Sequence, residues 1–95
     1  MQNPNQLNND GILFAQNGDY KKAISCFKKA IEIKNDNPIF WLNLGITYRD
    51  FNKIDLAIEA TLQAHKLDLQ NHEIANTLVQ LFINNNELEK ATNLC

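Results

Sequence analysis

The chain has 95 residues, 44% of them hydrophobic, with 9 basic and 11 acidic side chains and a formal net charge of -2. That is the size and composition of one small domain, and a charge so near balance argues against nonspecific binding to nucleic acid or to an anionic membrane. No unbroken apolar run, Ile39 to Leu42 being among the longest, approaches the roughly 20 residues that a spanning helix needs.

The start, MQNPNQLNN, is polar, with no basic stretch leading into an apolar core. It lacks the form of a secretory signal, and the expected location is cytoplasmic. A first helix is expected over 5–17, with Leu7, Gly11 and Phe14 on one face. The Gly18-Asp19 turn follows, and Asp19 is placed to cap a second helix over 20–34. Asn37 then supplies a cap, and Pro38 stands at the first helical position, where its missing N–H does no harm. The third helix, 38–51, carries Trp41, Leu44, Gly45 and Tyr48 at i, i+3, i+4 and i+7, one face of an α-helix. After the Asn52-Lys53 turn, Ile54, Ala57, Ile58, Thr61, Leu62 and Ala64 form the stripe of a fourth helix, 54–68. A fifth is expected over 72–84. A sixth, 87–95, has Asn86 as its capping oxygen and Glu87 and Glu89 at its N-terminal dipole.

These elements repeat. Adding 34 to Trp41, Leu44, Gly45 and Tyr48 gives Ala75, Leu78, Val79 and Phe82, and subtracting 34 gives Leu7, Asp10, Gly11 and Phe14. The same shift connects Ala23, Ala57 and Ala91, and Tyr20, Ile54 and Leu88. A fixed period of this length signals an array in which each unit buries its apolar face by stacking on its neighbours. The expected organisation is all-α: about six helices in antiparallel pairs, forming one domain over 1–95. Its repeats run over about 4–37, 38–71 and 72–95, the last truncated. A glycine inside a helix costs about 1 kcal/mol relative to alanine. Gly11 and Gly45 are therefore read as points of close helix approach, facing Ala23 and Ala57.

The pattern resembles the tetratricopeptide repeat, whose signature is W-x-x-L-G-x-x-Y, then A-x-x-x-F, then A and usually P. Trp41, Leu44, Gly45, Tyr48, Ala57 and Ala64 match it in the middle unit, and Ala23, Phe27 and Ala30 match its second half in the first. The chain departs from it at Asn35 and Leu69 (turn proline), Asp10 (core leucine), Val79 (glycine) and Thr61 (aromatic). Asp10 is read as a tolerated polar residue on an end helix, and Trp41, Tyr48, Phe14 and Phe82 as packing. The resemblance implies a right-handed superhelical α-solenoid.

It also implies that the first helix of each unit lines a concave groove for a peptide or partner helix. The positions on that side are Asn5, Asn8, Asn9 and Ile12 in unit one, and Ile39, Leu42, Asn43, Ile46 and Arg49 in unit two. In unit three they are Glu73, Asn76, Thr77, Gln80 and Ile83. Asn9 and Asn43, one repeat apart, look like the asparagine ladder by which some members, including the repeat region of O-linked N-acetylglucosamine transferases, hold a peptide backbone. A carboxamide offers both donor and acceptor for that task. Thr77 interrupts the ladder. Co-chaperones of this fold grip acidic carboxy-terminal tails with lysine, asparagine and arginine. The matching positions here hold Asn8, Ile12, Asn43, Glu73 and Thr77, so the cationic clamp is missing and Glu73 would repel a carboxylate.

Other chemistries find little support. Cys26 and Cys95 form no CxxC pair and are expected as reduced thiols. His65 and His72 lack metal-ligand spacing, and no nucleophile motif, P-loop or paired-carboxylate context occurs. No metal, cofactor or catalytic residue is expected. Lys21, Lys22, Lys28, Lys29 and Lys34 are read as solvating a convex face rather than binding RNA. Leu78, Phe82, Leu88 and Leu94 are expected to leave an incompletely covered C-terminal edge, a route to self-association. The expected function is a protein-interaction module without activity of its own. The alternatives are a substrate-selecting amino-terminal segment of a larger enzyme, such as a glycosyltransferase, and a homo-oligomeric scaffold.

Overall fold

The computed structural model describes residues 3–84. They form five α-helices: α1 (Pro4–Gln16), α2 (Tyr20–Ile33), α3 (Pro38–Asp50), α4 (Ile54–Leu67) and α5 (His72–Asn84). Every boundary falls within about one residue of the sequence expectation, inside the usual uncertainty of helix ends. The sixth expected helix and its Asn86 cap lie outside the described residues.

The helix starts show why the register holds. Asn3, Asn37 and Asn71 stand one repeat apart, and each uses its side-chain oxygen as a cap. Asn5 N–H donates to Asn3 Oδ1 at 2.8 Å, Ile39 N–H to Asn37 Oδ1 at 3.0 Å and Ile74 N–H to Asn71 Oδ1 at 3.1 Å. Each bond satisfies one of the donors that a helix N-terminus leaves free. Pro4 and Pro38 follow their caps at equivalent positions.

The turns inside the two complete pairs are also superimposable in sequence. Asp19 N–H donates to Phe14 O at 2.8 Å, and Lys53 N–H to Tyr48 O at 2.8 Å. The residue before each donor takes a left-handed conformation: Gly18 at φ 80° and Asn52 at φ 63°. Glycine and asparagine are the residues that tolerate that region at a helix end.

Packing follows the pairing. α1 packs most extensively on α2 and α3 on α4, while α2 also packs on α3 and α4 on α5. One buried cluster runs through all five helices, from Leu7 through Ala23, Phe27, Leu44, Tyr48 and Ala57 to Leu81, and a smaller one joins Leu42, Ala64 and Ile74. Burying side chains of this size contributes roughly 1.5–3 kcal/mol each, which offsets the ordering of short helices that would not persist alone.

Gly45 sits where α3 meets α4: a Cβ there would press on Thr61 Oγ1 and lie 3.2 Å from the Ala57 carbonyl oxygen. That is the close approach expected of it. At Gly11 the nearest atoms belong to the Phe27 ring, with Cε1 2.6 Å from where a Cβ would stand. Phe27 and Thr61 are equivalent by the repeat. The motif's aromatic position is therefore the one that meets the glycine in both units, and Ala23 simply lets the helices come close. Asp10 is half-buried on α1 and accepts a hydrogen bond from Gln6 Nε2 at 2.9 Å. Trp41 is half-buried, its Nε1–H donating to Asn35 O at 2.9 Å, a bond that needs only a backbone carbonyl where the family pattern has proline.

Candidate partner-binding groove

The first helices of the pairs, α1 and α3, form a shared surface whose hollow, about 250 Å³, is lined by Ile12, Ala15, Gln16, Phe27, Asn43, Ile46, Thr47 and Asp50. Ile12, Ala15, Phe27 and Ile46 make it apolar. Asn43, Thr47, Gln16 and Asp50 supply its polar groups.

Three of the expected groove residues, Ile12, Asn43 and Ile46, meet in this hollow. Asn8 is buried beside it and accepts a hydrogen bond from Asn43 Nδ2 at 2.9 Å, so the two helices are joined by a carboxamide pair. That contact uses one donor of Asn43 and leaves its Oδ1 and second N–H for another group. Asn9, the repeat equivalent of Asn43, is exposed, while Asn43 bonds to Asn8. Successive copies of a helix touch through non-equivalent sides, so a contact between them need not join residues one period apart.

Leu42 is a correction. It is only 2% exposed and packs with Ala64 and Ile74, because α3 is covered by α5 as well as by α2 and α4. It belongs to the core and offers nothing to a partner. Ile39 is exposed but lies outside the hollow, and Arg49 is half-buried with its Nε 3.2 Å from Asp50 Oδ1. On α5, Glu73, Asn76, Gln80 and Ile83 are exposed, and the Thr77 hydroxyl donates to Glu73 O at 2.8 Å. None of these α5 residues lines the hollow between α1 and α3.

Ala15, Gln16, Thr47 and Asp50 were missed in the sequence, although the signal was present. They continue the stripe begun by Ile12, Asn43 and Ile46 by one further turn, at i+3 or i+4.

The described residues contain no group of three or more His, Cys, Asp or Glu side chains that could hold a metal. Burial, reinforced by the Asp10 carboxylate and partly opposed by Lys29, raises the Cys26 thiol above its ordinary pKa, which keeps it protonated and a poor nucleophile. Of the four residues expected at the C-terminal edge, Leu78 and Phe82 are half-buried, and Leu88 and Leu94 lie outside the described residues. No helix among the described residues is long and apolar enough to cross a membrane.

Residues 11–50 match the model of the TPR repeat, the tetratricopeptide repeat, across the span that includes both close-approach glycines and the first turn. The chain belongs to the tetratricopeptide repeat family. It is 41% identical over 58 residues to a TPR repeat-containing protein of Methanocaldococcus jannaschii, a match covering 61% of this chain and 10% of that protein. It is 35% identical over 71 residues to a peroxisomal targeting signal receptor of Candida albicans, covering 67% of this chain and 12% of the receptor. The chain therefore spans about a tenth of the length of these curated relatives. Among solved structures it resembles the second TPR of Spaghetti (RPAP3) bound to an HSP90 peptide, with a TM-score of 0.88 at 22% identity, covering 97% of this chain and 85% of that one. A likeness at that identity concerns the fold.

Proposed function

We propose that this tetratricopeptide module binds a segment of a partner protein along the surface shared by α1 and α3, with no catalysis of its own. The observation that carries the reading is the hollow itself. Apolar Ile12 and Ile46 stand beside Asn43, which is held by Asn8 yet keeps donor and acceptor capacity for a peptide backbone. Fixing that carboxamide before binding reduces the ordering cost of the complex. Support also comes from the relatives, since the Candida receptor is named for a targeting signal and the Spaghetti repeat was solved with a peptide.

The segment that suits this hollow is not an acidic carboxy-terminal tail. No lysine lines it, and its charged residue is Asp50. The Spaghetti peptide, SRMEEVD, is acidic, so the expected specificity differs from that of this structural neighbour.

The test is a peptide array probed with the wild type and with Asn43→Ala, an exchange at a half-buried position that leaves the core intact. Peptides held through the groove should lose at least several-fold in signal. Unchanged capture of every peptide, with helicity confirmed by circular dichroism, would refute the groove.

A further inference from the structure

A second concavity lies on the other side of α3. Residues 41, 44 and 48 stand about half a helical turn from 43, 46, 47 and 50, so one helix serves two opposite surfaces. The second is the larger, about 450 Å³. It exists because α2 and α4 both pack on α3 and not on each other, leaving a cleft with α3 as its floor. Half-buried Trp41 and buried Tyr48 line its floor, and Leu56 and Leu62 on α4 are 43% and 36% exposed. Lys28 stands on the α2 wall and Lys66 on the α4 wall.

We propose that this cleft docks an acidic amphipathic segment of a partner protein. The apolar component is the aromatic floor with the two leucines, a surface that a row of apolar side chains would cover. The charge component is the pair of opposed lysines. Lys28 Nζ stands over the Tyr48 ring, 5.9 Å from its centroid, which puts a positive charge above the aromatic floor. The field extends along α2, where Lys21, Lys22, Lys28 and Lys29 outnumber Glu32 and the capping Asp19, whose Oδ2 lies 3.7 Å from Lys22 Nζ. Within the cleft the one acid is Glu59, which requires the partner's carboxylates to sit toward Lys28 and Lys66 and away from it. A nucleic acid strand matches these features less well. Its phosphates would meet Glu59, and it has no aliphatic side chains for Leu56 and Leu62.

The chain's single tryptophan, Trp41, makes the test direct. The whole chain is titrated with a synthetic amphipathic helix of leucine and glutamate, with its lysine-for-glutamate counterpart and with a uridine oligonucleotide, while Trp41 emission is followed. The acidic peptide should give a saturable change that the basic one does not. Lys28→Glu with Lys66→Glu should weaken it by roughly tenfold or more, Glu59→Gln should tighten it, and Asn43→Ala should leave it unchanged. These are exposed or groove positions, and circular dichroism verifies that each variant folds. The proposal is overturned by the absence of a saturable change, by equal binding of the basic peptide or by tighter binding of the oligonucleotide. It is also overturned if binding is lost in Asn43→Ala but retained in the lysine variant.

Discussion

The α1–α2 and α3–α4 pairs have the same backbone plan and different contents. In the first, the close-approach glycine meets a phenylalanine ring, the left-handed turn residue is Gly18, and Asp19 caps α2, its Oδ1 3.4 Å from Lys22 N. In the second, the glycine meets Thr61, the turn residue is Asn52, and Lys53 gives α4 no side-chain cap. Thr61 is fully buried and its hydroxyl has no hydrogen-bond partner among the described residues. The second pair is thus poorer in local terms, yet α3 has neighbours on more sides. The comparison indicates that burial of α3 against several helices substitutes for the capping and aromatic packing on which the α1–α2 pair relies.

That reading can be broken by removing the filler from the first pair. Phe27→Ala should cost about 3–5 kcal/mol, measured by urea denaturation, and a loss near that of a surface exchange would mean that the ring is not what joins α1 to α2. The same logic applies to the approach in the second pair: Gly45→Ala or Ala57→Leu should each overpack it by about 1–3 kcal/mol. An unchanged thermal midpoint for both would contradict the α3–α4 contact. A smaller gain sharpens the contrast. Lys53→Asp gives α4 the side chain that α2 has, on a backbone of similar conformation, and should stabilise by about 1 kcal/mol. The least effect is expected for Thr61→Val, which removes a hydroxyl without a partner and keeps the shape. It should be neutral or stabilising by up to about 1 kcal/mol in the same melts.

Most of the fold was legible in the sequence because helix starts, turns and apolar stripes are local signals repeated at one period. Asn37-Pro38 announced α3, and Asn3-Pro4, one period earlier, carried the same message for α1, whose start was expected one residue late. The site was legible only in part. A single-helix stripe tells which residues share a face, but not how many neighbours the helix has, so Leu42 was read as groove although α5 covers it. The Asn8–Asn43 bond was hidden for a related reason. It depends on the offset between neighbouring helices, and a search for residues one period apart finds Asn9 instead. The cleft between α2 and α4 is not a stripe at all, since its floor and walls come from three helices that no periodicity links.

The ladder of asparagine caps also bears on how such a chain changes over generations. Asn3, Asn37 and Asn71 each start a helix with a bond that reaches no farther than the third residue onward. Every unit thus carries its own beginning. Unequal crossover between two copies in register would add or delete a whole unit without creating a new boundary, and the product would inherit working caps, turns and stacking faces. Length is consequently the property that such an architecture can alter most freely, while the spacing inside each unit is what it must keep.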